Sequence, residues 1–245
     1  MSAYFRFYLC GREAAEWLID MRLLERLPYE TGRDYALRII KYNIICTELA
    51  PGSAVSENQL SAELGLSRTP VREALIELSK VKIVEITPQK RSVIALIDYD
   101  MVDESRFMRN VLECAVVELV CEMATSEDIL QLEENIRLQK FYSENHFSEL
   151  LNLDNQFHEI LFKIARKPQV HAQIQNISVH FDRVRSLSLL TVKSLKIVQD
   201  HEDIVSAIAD HDAKAARQLM ETHLNRYKID AKEIKEKYPQ YFAKI

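Results

Sequence analysis

The chain contains little glycine and lacks any long apolar run. Only 4 of its 245 residues are glycine, while hydrophobic residues make up 47% and charged residues 28%. This composition is typical of a helix-rich globular protein, and the length suits two modest domains. No apolar run approaches the roughly 18 residues that a membrane span needs, so we expect no membrane segment.

The sequence also shows no CxxC motif and no pattern typical of an export signal. The four cysteines, Cys10, Cys46, Cys114 and Cys121, form no CxxC pair. The apolar first ten residues contain Arg6 and are not followed by a small-residue cleavage site. We therefore expect a cytoplasmic protein whose thiols are reduced and buried.

The chain as a whole has no excess of basic charge. Its formal net charge is −5, but residues 31–97 hold nine Lys and Arg against seven Asp and Glu, whereas residues 98–245 hold nineteen against twenty-five. Binding to nucleic acid depends on which phosphates are neutralised locally. The overall acidity therefore does not exclude a DNA-binding segment within residues 31–97.

Residues 50–78 carry the most informative pattern, which predicts a helix, a tight turn and a second helix. Leu60 and Leu64 lie one helical turn apart, and Gly65 gives the backbone freedom for the turn. Ser67 is placed to cap the second helix, which has an apolar face at helical spacing.

Two arginines lie on one face of that second helix. Arg68 and Arg72 are four residues apart, with Thr69 beside them. Guanidinium groups near a helix N-terminus suit guanine edges and phosphates. Two arginines on a helix are equally typical of a solvated surface, so spacing alone leaves both interpretations open.

The full string of residues resembles the winged helix-turn-helix signature of the GntR family of bacterial transcription regulators. The resemblance implies that Arg68 and Arg72 read or clamp operator DNA, that Ser67 and Thr69 touch phosphate, and that the protein is a homodimer. The matching positions are Leu49, Pro51, Gly52, Glu57, Leu60, Leu64, Gly65 and the run from Ser67 to Leu75.

The flanking segments fit a winged domain over residues 31–97. Residues 31–46 show helical periodicity, and residues 81–87 and 92–97 favour the two strands of a wing. Lys90 and Arg91 lie at the wing tip, where they suit a minor groove or phosphate. The chain departs from the family pattern here. Most members carry glycine near the wing tip and before the first strand, where this chain has Arg91-Ser92 and Lys82.

The remaining segments predict a helical N-terminal extension over 1–30 and an all-α domain over 98–245. Periodicity predicts an amphipathic helix at 12–27 and a short hinge at 98–103. Six helices are predicted after the hinge: 102–124, 126–143, 146–165, 169–188, 191–210 and 212–237. We therefore predict a mainly α protein, with a small β wing followed by a six-helix bundle.

One pair in the bundle has the spacing of a metal site. Asp154 and His158 are four residues apart, which places a carboxylate and an imidazole on one helix face. This spacing suits a divalent metal ion but is weak by itself, because such residues more often have structural roles. His201 and His223 lie on two further helices that a bundle can bring to the same centre.

These strings resemble the FCD domain, the all-helical ligand-sensing domain in the FadR branch of the GntR family. The resemblance implies that Asp154, His158, His201 and His223 hold one metal ion. Such a ligand set suits zinc first, and also nickel, iron or manganese. His180 and Arg183 are candidates for lining the pocket.

The same resemblance includes R-x-x-L-E, beginning at Arg109. It implies that Arg109 faces a small organic-acid effector, since a guanidinium fork suits a carboxylate. The alternative for Arg109 is an ion pair with Glu113, four residues later on the same helix.

Together these features predict a transcription regulator, with a repressor favoured over an activator, whose operator binding responds to a carboxylate metabolite at the metal. One alternative is a direct sensor of the metal ion. Another is a metal-dependent enzyme that uses the three histidines and the aspartate, although no general base is placed beside them.

Overall fold

The computed structural model describes residues 21–87, 91–143, 147–191 and 196–243, and it confirms a mainly α fold with a small sheet. None of the helices in these ranges combines the length and apolarity needed to cross a bilayer. The winged region, residues 31–97, packs on the helical region, residues 98–243. Each region has its own main hydrophobic cluster.

The winged region contains the predicted helix-turn-helix. Two of its three helices begin at capping side chains, because Thr31 accepts a hydrogen bond from the Asp34 amide and Ser56 accepts one from the Gln59 amide. Gly65 ends the second helix in the left-handed conformation, with φ of 63°. The helices are α1 (Gly32–Ile45), α2 (Glu57–Leu64) and α3 (Arg68–Lys80).

The wing is a three-stranded antiparallel sheet with the order β1-β3-β2. Its strands are β1 (Ala54–Val55), β2 (Val84–Glu85) and β3 (Ser92–Ile94). The predicted strands over 81–87 and 92–97 are too long, since the strands contain only residues 84–85 and 92–94. The sequence did not indicate β1, which is only two residues long. The wing-tip residue Lys90 lies outside the described residues.

Lys82 keeps the backbone conformation of a glycine. Its φ is +58°, in the left-handed region that L side chains rarely adopt. The Lys82 amide donates to the Ser79 carbonyl, which tightens the turn from α3 into β2. The turn is therefore retained with a side chain at this position, at a cost in backbone strain.

The predicted N-terminal helix is wrong over its described half. Residues 21–27 have no regular secondary structure, and residues 12–20 lie outside the described part of the chain. Met21 is buried in the core of the winged region, and the Arg22 amide donates to Asn43 Oδ1 at 2.8 Å. The Arg22 guanidinium also contacts Glu149 of the helical region at 2.7 Å. Docking to both regions thus holds this segment without a helix.

The described helical region contains eight helices where six were predicted. Two predicted helices are each divided by one residue, Ser178 and Arg226. Beside the first interruption the Ile177 carbonyl accepts a hydrogen bond from Ser105 of a neighbouring helix, and at the second the Arg226 amide bonds three residues back. The helices are α4 (Tyr99–Met123), α5 (Ser126–Tyr142), α6 (Phe147–Ile164), α7 (Pro168–Ile177), α8 (Val179–Thr191), α9 (Lys196–Ala209), α10 (Ala213–Asn225) and α11 (Tyr227–Lys237).

The hinge predicted at 98–103 is also wrong. Helix α4 begins at Tyr99, because Asp98 caps it by accepting a hydrogen bond from the Asp100 amide. The two regions are instead joined by residues 95–98, which we call the connector. Ala95 and Ile97 are buried, so the connector is packed against the protein over these positions.

Candidate metal centre and nucleic-acid interface

Four buried side chains from three helices meet at one point in the helical region. Asp154 and His158 come from α6, His201 from α9 and His223 from α10. One potential ligand atom from each of the four lies within 4.8 Å of the others. The structure therefore brings together all four residues that the sequence nominated as metal ligands.

The facing atoms of these side chains are close to one another. Nε2 of His223 lies 3.2 Å from Nε2 of His158 and 3.4 Å from Nε2 of His201. The carboxylate of Asp154 lies 3.6 Å from Nε2 of His201 and 4.0 Å from Nε2 of His158. The Phe157 ring stacks on His201 with centroids 3.9 Å apart and so orients that imidazole.

The other nitrogen of each imidazole faces an oxygen. Nδ1 of His158 lies 2.6 Å from Glu113, Nδ1 of His201 lies 2.8 Å from Oε1 of Gln139, and Nδ1 of His223 lies 3.5 Å from Asp200. Metal-binding histidines ordinarily have such partners, which direct the lone pair of the other nitrogen toward the ion.

Sequence reasoning missed two of these partners. Glu113 was noted only as the ion-pair partner of Arg109, while Gln139 and Asp200 were not singled out. The available signal for Gln139 is its place beside Asn135 on the buried face of α5, where polar residues need partners. Nε2 of Gln139 does donate to Oδ1 of Asn135, at 2.6 Å.

Burial sets the charge state of the centre. Burial lowers the pKa of His158 and, with the neighbouring His223, lowers the pKa of His201 well below its ordinary value. Burial alone would raise the pKa of Asp154, but the Arg185 guanidinium and the nearby histidines lower it below the usual range. The surroundings thus favour neutral His158 and His201 and an ionised Asp154, the forms that bind metals.

These residues fit a divalent transition-metal ion. If each Nδ1 donates to its oxygen, three Nε2 lone pairs point at one another across the distances given above. Their mutual repulsion is relieved by a cation between them. Oδ2 of Asp154 is paired with the Arg185 guanidinium at 3.1 Å, while Oδ1 faces Nε2 of His201 at 3.6 Å, so an anionic oxygen is directed at the same point.

A cavity of about 30 Å³ lies beside the candidate ligands. It is lined by Arg109, Asp154, Phe181, Arg185, Ser188, Ile197, His223, Leu224 and Arg226. Arg109 reaches this cavity, and its Nε also donates to Glu113 at 2.6 Å, so the ion pair given as the alternative is present. The prediction that His180 and Arg183 line the cavity is wrong.

His180 and Arg183 face the winged region instead. Nε2 of His180 lies 2.8 Å from the carbonyl oxygen of Val81, and Arg183 donates to the carbonyl oxygen of Ala95 at 2.6 Å. Because these residues are three apart on α8, they share the helix face turned away from Arg185. Helix α8 thus contacts the candidate metal centre on one side and the winged region on the other.

The predicted DNA-contacting residues of α3 lie on an exposed surface. The exposed residues are Ser67, Arg68, Thr69 and Arg72, with Arg91 exposed beside β3. Ser67 precedes α3 at the cap position, and its side chain makes no capping hydrogen bond.

An acidic residue lies beside the two arginines of α3. Glu57 contacts the Arg68 guanidinium at 3.2 Å and the Arg72 guanidinium at 3.9 Å. Together with Arg91 and Thr87 of the wing, these side chains line a groove of about 760 Å³. The structure therefore gathers basic groups from α3 and the wing along one groove.

Two family models match the chain in the order of the two regions. The model for bacterial regulatory proteins of the gntR family matches residues 35–94, and the FCD domain model matches residues 104–226.

Similar proteins span nearly the same length. The HTH-type transcriptional repressor RspR of Escherichia coli K12 is 31% identical over 218 residues, which cover 88% of this chain and 96% of RspR. An HTH-type transcriptional regulator of Streptomyces ambofaciens is 31% identical over 212 residues, covering 86% of this chain and 89% of that protein. The solved structure of E. coli McbR/YncC shares the fold, with a TM-score of 0.72, 19% identity and coverage of 85% of this chain and 99% of that one. The chain therefore belongs to the GntR family of bacterial transcriptional regulators, with a GntR helix-turn-helix followed by an FCD domain.

Proposed function

We propose that this chain is a homodimeric repressor. Its binding to operator DNA would be controlled by a small carboxylate metabolite bound beside a metal ion. The observation that carries the proposal is the buried meeting of Asp154 with three histidines, next to a cavity that three arginines reach. We further propose that residues 31–97 bind DNA and residues 98–245 hold the effector and form the dimer. Residues 1–30 form an extension, of which Met21 and Arg22 dock on these regions.

The DNA-binding role rests on α3 and the wing. Arg68 and Arg72 project from the start of α3, the position from which a recognition helix reads base edges in the major groove. Ser67 and Thr69 would contact phosphate from the helix N-terminus. Lys90 and Arg91 would contact phosphate or the minor groove from the wing. A twofold dimer would place two such surfaces on a near-palindromic operator.

The charge balance of the centre favours an anionic effector once an ion is bound. Three guanidinium groups face four carboxylates there, those of Glu113, Asp154, Asp182 and Asp200. A divalent cation, with zinc expected first, changes this balance to net positive. When bound, the ion would supply a Lewis-acid position for a carboxylate oxygen.

The three arginines would then orient the effector. Arg109, Arg185 and Arg226 each line the cavity and each pair with a carboxylate. An incoming carboxylate can exchange with one of these partners and accept two parallel hydrogen bonds. Because the cavity holds little more than a water molecule, the lining side chains must move to admit a metabolite.

That small cavity also favours a second candidate, in which the metal ion itself is the signal. A direct metal sensor needs the four ligands but no room for an organic acid. The two candidates differ in one result, because a carboxylate added to the zinc-loaded protein changes operator affinity only if an organic acid is the signal.

The effector proposal is tested by titrating zinc-loaded protein with a panel of mono-, di- and tricarboxylates in a calorimeter. We expect heat from at least one carboxylate, absent in the metal-free protein and reduced in Arg109→Gln. The matched control is Arg137→Gln on the exposed face of α5. Binding to none of the acids, together with operator release on chelation alone, would leave the direct sensor.

A further inference from the structure

The residues that follow the FCD match fasten the connector between the two regions. The FCD model ends at residue 226, and the chain continues through α11 to a short 3₁₀ turn at Pro239–Tyr241. Ile97 of the connector then pairs in parallel with Phe242. The Ile97 amide donates to the Tyr241 carbonyl at 2.8 Å, and the Ala243 amide donates to the Ile97 carbonyl at 2.9 Å. We call residues 227–243 the strap.

Aromatic and cationic contacts reinforce this pairing. The Phe242 ring stacks on Tyr99, the first residue of α4, with centroids 5.1 Å apart. The Lys235 ammonium lies 3.7 Å from the centroid of the same Tyr99 ring, on the side of α11. The strap therefore holds the connector and the start of α4 together.

The strap also packs against the wall of the cavity. Phe242 and Ile234 share a buried cluster with Phe181, and Ile97 belongs to the same cluster. Phe181 lines the cavity, and its ring lies 5.2 Å from the Arg109 guanidinium. One aromatic side chain thus separates the cavity from the packing that fixes the connector.

A second contact joins the strap to the candidate metal ligands. Arg226 is the single residue between α10 and α11. It lines the cavity and forms an ion pair with Asp200. Asp200 faces Nδ1 of His223, which is only three residues before Arg226. A displacement of His223 therefore moves the point from which α11 begins.

The opposite side of the connector is held by α8. Arg183 is completely buried and donates to the carbonyl oxygens of Ala95 and Leu96, at 2.6 Å and 3.5 Å. The connector thus lies between α8 and the strap, and both of these elements line or adjoin the cavity.

We propose that the strap couples the metal centre to the winged region by docking on the connector. An ion that draws the three imidazoles together fixes α10 and Arg226, and thereby holds α11 and the strap in place. Loss of the ion lets the imidazoles separate, and the pairing of Ile97 with Phe242 loosens. The winged region then moves more freely relative to the helical region. This inference rests on the proposed function for its effect on operator binding.

The test compares the wild type with Phe242→Ala and Ala243→Pro. Phe242→Ala removes the stacked ring. Ala243→Pro keeps the Phe242 ring and removes the amide that donates to Ile97, and Phe242 has the extended backbone, φ −107° and ψ 141°, that a following proline accepts. The matched control is Phe141→Ala, which removes an aromatic ring that is 74% exposed on α5.

Each protein is measured with zinc and after chelation, by hydrogen exchange of the peptide that contains Ile97 and by operator affinity. In the wild type and in Phe141→Ala, we expect chelation to speed exchange at Ile97 by about tenfold and to change operator affinity by about fivefold or more. In both strap variants we expect normal zinc content, fast exchange in both states and less than about a twofold change in affinity.

Two results would overturn the strap's role. One is unchanged exchange at Ile97 when zinc is removed from the wild type. The other is a full response of operator affinity to zinc in both strap variants, which leaves the metal-controlled regulator standing. In a third possible result, zinc changes exchange at Ile97 but does not change the operator affinity of the wild type. This result would support coupling of the strap to the metal centre and would contradict the proposed control of operator binding.

Discussion

Nδ1 of His158 lies 2.6 Å from Oε2 of Glu113, and both side chains are buried. The other carboxylate oxygen of Glu113 accepts from Arg109 at 2.6 Å. A candidate metal ligand is therefore joined through a single carboxylate to the arginine that the family resemblance assigns to the effector.

This relationship predicts that Glu113→Gln weakens metal binding without removing a ligand. The amide keeps the shape of the side chain but loses the charge that orients and polarises His158. We expect zinc affinity to fall by about 10–100-fold, the usual effect of removing such a partner. Competition with a chromogenic chelator measures it, and Glu104→Gln on the exposed face of α4 is the control. Equal zinc affinities in the two variants would show that Glu113 does not support metal binding.

The ligand set itself is tested by His158→Ala. We expect metal content and melting temperature to fall together, because an ion bound only by the folded state adds to its stability. Adding zinc should raise the melting temperature of the wild type and of His211→Ala, whose imidazole lies outside the centre and contacts the Cys121 carbonyl at 2.7 Å. It should not raise that of His158→Ala. Full metal occupancy in His158→Ala would refute the coordination scheme.

The recognition helix is tested by Arg72→Ala. We expect a loss of about 1–3 kcal/mol in operator binding if Arg72 reads a base, and a smaller salt dependence if it contacts phosphate. Arg137→Ala, an equivalent change on the exposed face of α5, should leave both quantities unchanged. If Arg72→Ala behaves like that control, Arg72 does not contact DNA.

The left-handed backbone at Lys82 predicts that substitution by glycine stabilises the protein. Lys82→Gly relieves the strain of a side chain at positive φ, and the extra freedom of the unfolded chain offsets part of the gain. We expect the free energy of unfolding to rise by about 0.5 kcal/mol in urea melts. Glu73→Gly, in the exposed middle of α3, should lower it by about 1 kcal/mol. A lower stability for Lys82→Gly would show that the turn is not strained.

Local patterns in the sequence predicted the parts of the fold that depend on neighbouring residues. The turn at Gly65 and the helices on either side of it follow from spacings of three or four residues, and the structure confirms them. Ser67 takes the predicted cap position, but its side chain makes no capping hydrogen bond. The hinge was placed wrongly, because the polar residues from Asp98 were taken as a linker when Asp98 is a helix cap.

Contacts between distant residues explain most of the features that were missed. The Ile177 carbonyl, where the predicted helix is interrupted, accepts from Ser105, 72 residues away, and the partner of His201 is Gln139, 62 residues away. No local pattern encodes such pairs. The four candidate ligands were found because family resemblance supplied the long-range information that spacing lacks.

The most direct test of the central claim is fluorescence anisotropy on DNA from upstream of the protein's own gene, with zinc present and after chelation. The account predicts tight, salt-dependent binding that chelation or a carboxylate effector alters and that Arg68→Ala/Arg72→Ala abolishes. Equal binding by the wild type and the double variant, unaffected by zinc, chelator or any carboxylate, would contradict it.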